Sequence, residues 1–186
     1  MAKIFNIKRI SDRPGYYVAG FVDGEGSFYL SVRKHCKQRE ENGTTVWKDG
    51  KKVFEYERPT GWRFSLNFNI ANNDTRVLEF CRAQLCCGAI RESNPGKFIL
   101  EITDQEILNN RIVPFFNKFQ FESVKKRHEF RVFKLLLKFF GEGQVTTTPR
   151  MLQFLRLRTA LGRYRGNKQT HNDADIVESF KPEIYE

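Results

Sequence analysis

With 186 residues, of which 32 are Lys or Arg and 22 are Asp or Glu, the chain carries a formal charge of +10. It is long enough for a single domain with a real core, and the cationic excess favours a polyanionic partner, most commonly nucleic acid, over an inert basic surface. No apolar run approaches the roughly 18 residues needed to cross a membrane, and the first ten residues lack a secretory apolar segment, so an intracellular protein is expected.

In chain order, Ser11 or Asp12 caps a first helix, with Pro14 tolerated in its first turn. The helix runs through Tyr17, Val18 and Phe21 to a stop at Gly26. Ala19 and Gly20 are small, and Gly20 and Gly24 lie four apart on one face. Interior glycines cost a helix about 1 kcal/mol each, so a bare face implies close packing against another helix. Asp23 and Glu25 stand at the helix end, where about half a negative charge makes a carboxylate unfavourable by roughly 0.3–1 kcal/mol. No Lys or Arg lies between Arg13 and Arg33 to offset them. A divalent cation would, because hard cations take carboxylate and backbone carbonyl oxygens.

Alternation follows. Phe28, Leu30 and Val32 share one side of a strand, and Tyr29, Ser31, Arg33, His35 and Lys37 share the other, with Ser27 at its start. In a second strand Phe64, Leu66, Phe68 and Ile70 face one way, while Arg63, Ser65, Asn67 and Asn69 face the other. The outward positions hold no acid, which favours a reader surface over an ordinary half-solvated sheet. Between the strands, residues 36–62 form a polar insertion with hairpin-turn pairs at Asn42-Gly43 and Asp49-Gly50. Thr45, Val46 and Trp47 are expected to pair with Val53, Phe54 and Glu55. Lys37, Arg39, Lys48, Lys51, Lys52 and Arg58, interleaved with Trp47, Tyr56 and Trp62, suit phosphate contacts and groove entry; the alternative is a solvated loop.

Asn73 or Asp74 caps the next helix, through Val77, Leu78 and Leu85 to a stop at Gly88. A hairpin spans Ala89–Glu92 and Lys97–Ile102 across Asn94-Pro95-Gly96. Thr103 or Asp104 caps a short helix expected to end near Pro114. Residues 122–140 make a long helix with Phe130, Phe133, Leu136, Leu137 and Phe140 on its apolar side, and Thr148-Pro149 opens another through Leu152, Leu155 and Leu157. A polar tail, 162–186, follows a core of about 11–161. The order α-β-β-α-β-β-α with extra C-terminal helices describes one α+β domain, 1–186, with an antiparallel sheet and helices on a single side. Cys36, Cys81, Cys86 and Cys87 form no CxxC pair and read as reduced thiols, with a weak zinc alternative through His35 and Cys36.

The run Tyr17-Val18-Ala19-Gly20-Phe21-Val22-Asp23-Gly24-Glu25-Gly26 resembles the motif of the LAGLIDADG homing endonucleases, and the order of elements from about 11 to 140 resembles that fold, with its saddle-shaped sheet. The single motif is similar to the homodimeric, group I intron-encoded members. The resemblance implies that Glu25 and the Gly24 carbonyl hold Mg²⁺ (or Mn²⁺), although glutamate departs from the commoner aspartate. Asp23 has a minor role near the helix end. Asn72 matches a polar residue near the attacking water, Arg76 a basic residue one turn later, and Lys125 a lysine before the long helix, its alternative being a solvated helix start. The seam between two copies comprises Ala19, Gly20, Asp23 and Gly24. The implied function is site-specific hydrolysis of double-stranded DNA at a long, roughly palindromic target, in the compartment of the host genome. The other readings are a maturase that binds intron RNA and a DNA-binding regulator without cleavage.

Overall fold

The computed structural model describes residues 5–36, 45–48, 51–54, 59–143, 145, 147–164 and 171–180, with backbone alone at 34–36, 45–48, 51–54 and 59–61. After a 3-10 turn at Ile7–Arg9 come α1 (Asp12–Glu25), β1 (Gly26–Cys36), β2 (Thr45–Lys48), β3 (Lys51–Phe54), β4 (Pro59–Asn72) and α2 (Thr75–Leu85). Next are β5 (Ala89–Asn94), β6 (Lys97–Ile102), α3 (Gln105–Ile107), a π-helical turn (Leu108–Ile112), α4 (Val113–Lys118), α5 (Val124–Gly141), α6 (Thr148–Gly162) and α7 (Asp173–Ser179). The main sheet runs β1-β4-β6-β5, with every neighbour antiparallel, and β2 and β3 form a separate pair. This is the α+β architecture expected.

The alternation in β1 and β4 sorts side chains as the pleat requires. Phe28, Leu66, Phe68 and Ile70 are fully buried, whereas Arg33 and Arg63 on the opposite face are exposed. The Phe28 ring lies 4.9 Å from Phe68 and 5.0–5.9 Å from Phe116, Phe121, Phe130 and Phe133. Tilted and edge-on contacts of this kind add to area burial, so the abundant phenylalanine forms the layer between sheet and helices. Local chemistry sets the boundaries: Asp74 accepts the Arg76 N–H at 2.9 Å, Asp104 the Ile107 N–H at 2.9 Å, and Ser123 the Lys126 N–H at 3.1 Å.

Three expectations are corrected. Helix does not end at Pro114: the π turn leads into α4, where Pro114 occupies an early position that needs no N–H donor. Trp62 is not a groove-facing aromatic of the insertion. It is 6 % exposed, donates from Nε1 to Ser179 Oγ at 3.1 Å and packs edge-on against His171; because β4 begins at Pro59, the insertion is shorter than 36–62. Residues 171–180 are not a loose polar tail, since Ile176 and Phe180 are buried and Asp173 pairs with Arg158. The helix expected from Thr148-Pro149 is present as α6, with Met151, Phe154, Leu155 and Leu161 buried and Leu152 half exposed. The hairpin β2–β3 is present, with Thr45 opposite Phe54 and Lys48 opposite Lys51; Glu55 and the Asn42-Gly43 turn lie outside the described residues. Among the described residues no helix is long and apolar enough to cross a membrane.

Candidate active site

Glu25 is the last residue of α1, and Gly26, the first of β1, closes the helix by donating its N–H to the Val22 carbonyl. A Cβ at Gly26 would sit 2.5 Å from Val22 Cγ1 and 2.8 Å from Val22 O. The tight turn therefore excludes any side chain there. The two acids before it have opposite fates. Asp23 accepts the N–H groups of Glu122 at 3.1 Å and Ser123 at 2.9 Å, together with the Ser123 hydroxyl. Its carboxylate thus lies at the end of α1 but also beside the N-terminus of α5, where negative charge is favoured. Glu25 is exposed, and no described residue hydrogen-bonds to it or pairs with it.

This division revises the expected seam. Ala19 is 2 % exposed and belongs to the core, and Asp23 is committed to its own chain. Gly20 and Gly24 remain on an open face, where an added Cβ would meet nothing within 4 Å. Tyr17, half exposed, lies between Phe21, stacked at 6.4 Å, and Phe80 of α2, edge-on at 5.3 Å.

The register Gly26↔Ile70 brings the end of β4 beside the end of α1. Asn72, half-buried, accepts the Asp74 N–H on Oδ1 at 2.8 Å, and its amide nitrogen bonds to no described residue. Arg76 is in the first turn of α2, its side chain 91 % exposed and Nε 3.5 Å from Asp74 Oδ1. It lines a cleft of about 490 Å³ with Arg13, Pro14, Tyr17, Val77 and Phe80, between α1 and α2. Lys125 is exposed in the first turn of α5. The next residue, Lys126, which sequence reasoning missed, is 3 % exposed. Its Nζ donates to the Gly26 carbonyl at 2.5 Å and pairs with buried Glu129 at 3.1 Å. The available signal was Ser123 three residues before Lys126 and Glu129 three after it.

On the outward sheet face, Ser27, Tyr29, Ser31, Ser65 and Asn69 are half-buried, and Arg33 donates from Nε to Ser31 Oγ at 3.2 Å. Asn67 departs from expectation: it is 5 % exposed, with Nδ2 donating to the Ser65 carbonyl at 3.0 Å, so it presents no free edge. A carboxylate also joins this face. Glu101 of β6, opposite Asn69, accepts from Tyr29 OH at 2.9 Å and Arg91 Nε at 3.1 Å. Burial first, then the bond to Glu101, pushes the Tyr29 hydroxyl up to about 12. The Arg91 bond holds the Glu101 carboxyl below its ordinary value. His35, Lys48, Lys51 and Lys52 are placed on strands by their backbone alone, and Lys37, Arg39 and Arg58 lie outside the described residues.

No group of three or more His, Cys, Asp or Glu among the described residues can hold a metal. One chain offers the exposed Glu25 carboxylate and the Gly24 carbonyl, in a last helical turn whose carbonyls lack intrahelical partners. Both are hard oxygen donors that suit Mg²⁺ or Mn²⁺, but they fill only part of such a shell. Water, phosphate or a second chain must supply the rest.

A family model described as LAGLIDADG endonuclease matches residues 18–137. No curated protein matches the chain in sequence. Among solved structures, the homing endonuclease I-TnaI aligns at 22 % identity and a TM-score of 0.65, over 94 % of this chain and 99 % of that one. The archaeal intron-encoded homing endonuclease I-Vdi141I, complexed with DNA, aligns at 20 % identity and a TM-score of 0.66, over 89 % and 92 %. I-SmaMI, bound to an uncleaved DNA target with calcium ions, aligns at 22 % and 0.65, over 91 % of this chain but 50 % of its own. The chain thus spans half of I-SmaMI and nearly all of I-TnaI.

Proposed function

Because the chain belongs to the LAGLIDADG endonuclease family, we propose that it is a site-specific double-strand DNA endonuclease, acting as a homodimer on a roughly palindromic target. The observation that carries this reading is an exposed Glu25 carboxylate, without a partner among the described residues, on the same helix as the open Gly20–Gly24 face. Apposing two such faces across a two-fold axis brings two copies of Glu25 to one place, one for each DNA strand. The near-complete match to I-TnaI is consistent with a working unit of one motif per chain.

Glu25 and the Gly24 carbonyl would hold Mg²⁺ or Mn²⁺, with phosphate oxygens and water completing the shell. When bound, such an ion polarises a phosphate oxygen and lowers the pKa of water. The Asn72 amide nitrogen donates to, and so orients, a water, and cannot act as a base because an amide does not titrate. Arg76 and Lys125, both exposed cations, offset charge building on the phosphate. The sheet face supplies Arg33 and Arg63 for guanine and Asn69 for adenine, and the hairpin lysines Lys48, Lys51 and Lys52 supply phosphate contacts.

The test is Glu25→Gln. Plasmid carrying the target should still be bound in Ca²⁺ in a gel-shift assay, while cleavage in Mg²⁺ falls by at least about 10²-fold. Cleavage at the wild-type rate removes the assignment of Glu25.

A further inference from the structure

We infer that Trp62 and the C-terminal helix α7 position the outer end of the DNA-reading surface, acting from behind the sheet rather than on the duplex; this rests on the proposal that the sheet reads DNA. β4 pairs with β6 only from Phe68 to Asn72, whereas its ladder with β1 continues to Cys36↔Pro59. Among the described residues the reader beyond Phe68 is therefore a two-stranded ribbon. At the rise of an antiparallel strand, Trp62 lies about 20 Å along it. Two strands alone are at best marginally stable in water. The ribbon also sets Arg33 directly opposite Arg63, and like charges so placed destabilise a strand pair. It needs cover on its apolar face to hold its shape.

Two helices provide that cover in turn. Phe64 packs on Phe154 of α6, with ring centroids 4.2 Å apart. Farther out, Trp62 donates from Nε1 to Ser179 Oγ at 3.1 Å, and the Ser179 hydroxyl donates in turn to the Asp175 carbonyl at 2.5 Å. His171 meets the same indole edge-on at 5.0 Å. A seven-residue helix is too short to be stable alone, and α7 is tied down along its length. Asn172 accepts the Ala174 N–H at its start, Arg158 of α6 reaches the Asp173 carboxylate and the His171 carbonyl, and Ile176 and Phe180 are buried. Because successive side chains alternate faces, holding Trp62 from behind fixes Arg63 in front, and through the ladder Arg33 with it. Both arginines are exposed, and donors held in place before binding lose less freedom on meeting a base edge. The β2–β3 hairpin is inserted between the same two strand ends. Trp62 is thus a positioning residue for outer recognition, and α7 is its support.

The probe is the duplex that the wild-type protein enriches from a random-sequence DNA pool in Ca²⁺. The variant is Ile176→Ala/Phe180→Ala, which loosens α7 and leaves every sheet side chain in place. Amide exchange at residues 62–66 of β4 should accelerate by on the order of tenfold, while residues 68–70 keep their protection. Discrimination against substitutions in the outermost base pairs should fall by about tenfold. Central positions should be read as before, and the single-turnover cleavage rate in Mg²⁺ at saturating protein should be unchanged. Ile176→Val/Phe180→Leu should restore both readouts. Should the alanine variant fail to fold, Trp62→Phe, which keeps an aromatic ring and loses the Ser179 bond, gives the same shifts at smaller amplitude. Unchanged exchange, a loss spread evenly along the half-site, or faster exchange with outer discrimination intact overturns the inference. If the wild-type protein enriches no duplex, the DNA-reading premise fails and the recognition role falls with it, while the exchange rates still report whether α7 supports the ribbon.

Discussion

On one side of α1, Gly15 approaches Phe119 so closely that a Cβ would fall 2.2 Å from the ring; on the other, a Cβ at Gly20 or Gly24 would meet nothing within 4 Å. The closed side, with Val18, Ala19 and Val22, explains its glycine by contacts within the chain. The open side does not. Gly20, in the helix interior, costs about 1 kcal/mol relative to alanine, and no contact among the described residues repays that. A second helix packed backbone to backbone would, which is why the open face carries the homodimer proposal.

This contrast can be broken by experiment. Gly15→Val should be the most damaging change, because overpacking a closed contact costs about 3 kcal/mol, or roughly 6–12 °C in Tm for a chain of this size; calorimetry reads it. Gly24→Leu should leave Tm nearly unchanged at low concentration, yet weaken self-association by more than about tenfold, as read by analytical ultracentrifugation. If Gly24→Leu remains as dimeric as wild type, the open face is not the seam. Gly20→Ala should raise the stability of the isolated protomer by up to about 1 kcal/mol in urea titration while lowering cleavage, a reversal of sign that a purely intrachain role cannot produce.

The distinction between committed and free groups extends to the sheet. Glu101 is held by Arg91 and Tyr29, and its folded pKa lies below the unfolded value. Its contribution is therefore fully present above the ordinary glutamate range near pH 4.3 and is lost as pH falls through the lower folded value. Glu101→Gln should lower stability modestly at neutral pH and flatten the acid limb, so that variant and wild type converge as pH falls below the folded value; an unchanged acid limb would detach Glu101 from that network. The smallest effect concerns thiols. Burial pushes Cys81 up to about 11 and Cys87 up to about 12, so both should alkylate slowly in the native protein and rapidly in denaturant, as mass spectrometry would show.

Short-range signals were the legible ones. The glycine pair, the acids at the helix end, the caps at Asp74 and Asp104, and the period-2 strands are all encoded within a few residues, and each matches the structure. What escaped depends on distant partners. Asp23 was given only a minor role near the helix end because the N–H groups it accepts belong to Glu122 and Ser123. Lys126 escaped because three consecutive cations, Lys125-Lys126-Arg127, carry no mark of which one points inward. Glu101 reached the reader face only through the pairing of β6 with β4, which alternation within β1 and β4 cannot reveal. The apolar anchors Ile176 and Phe180 fall in and just after a seven-residue helix, too short to show a helical period.

The β1–β4 ladder runs from Gly26↔Ile70 to Cys36↔Pro59, starting at the turn that presents Glu25. Because successive side chains alternate faces, a one-residue insertion within either strand would send phenylalanines to the solvent side and asparagines into the aromatic layer. Such a change would scramble folding and recognition together. Lineages of this protein that acquire new targets should therefore diverge at Arg33, Arg63, Ser65 and Asn69 by exchange of residue identity, with strand length held constant, and length variation should collect instead beyond Cys36 and before Pro59.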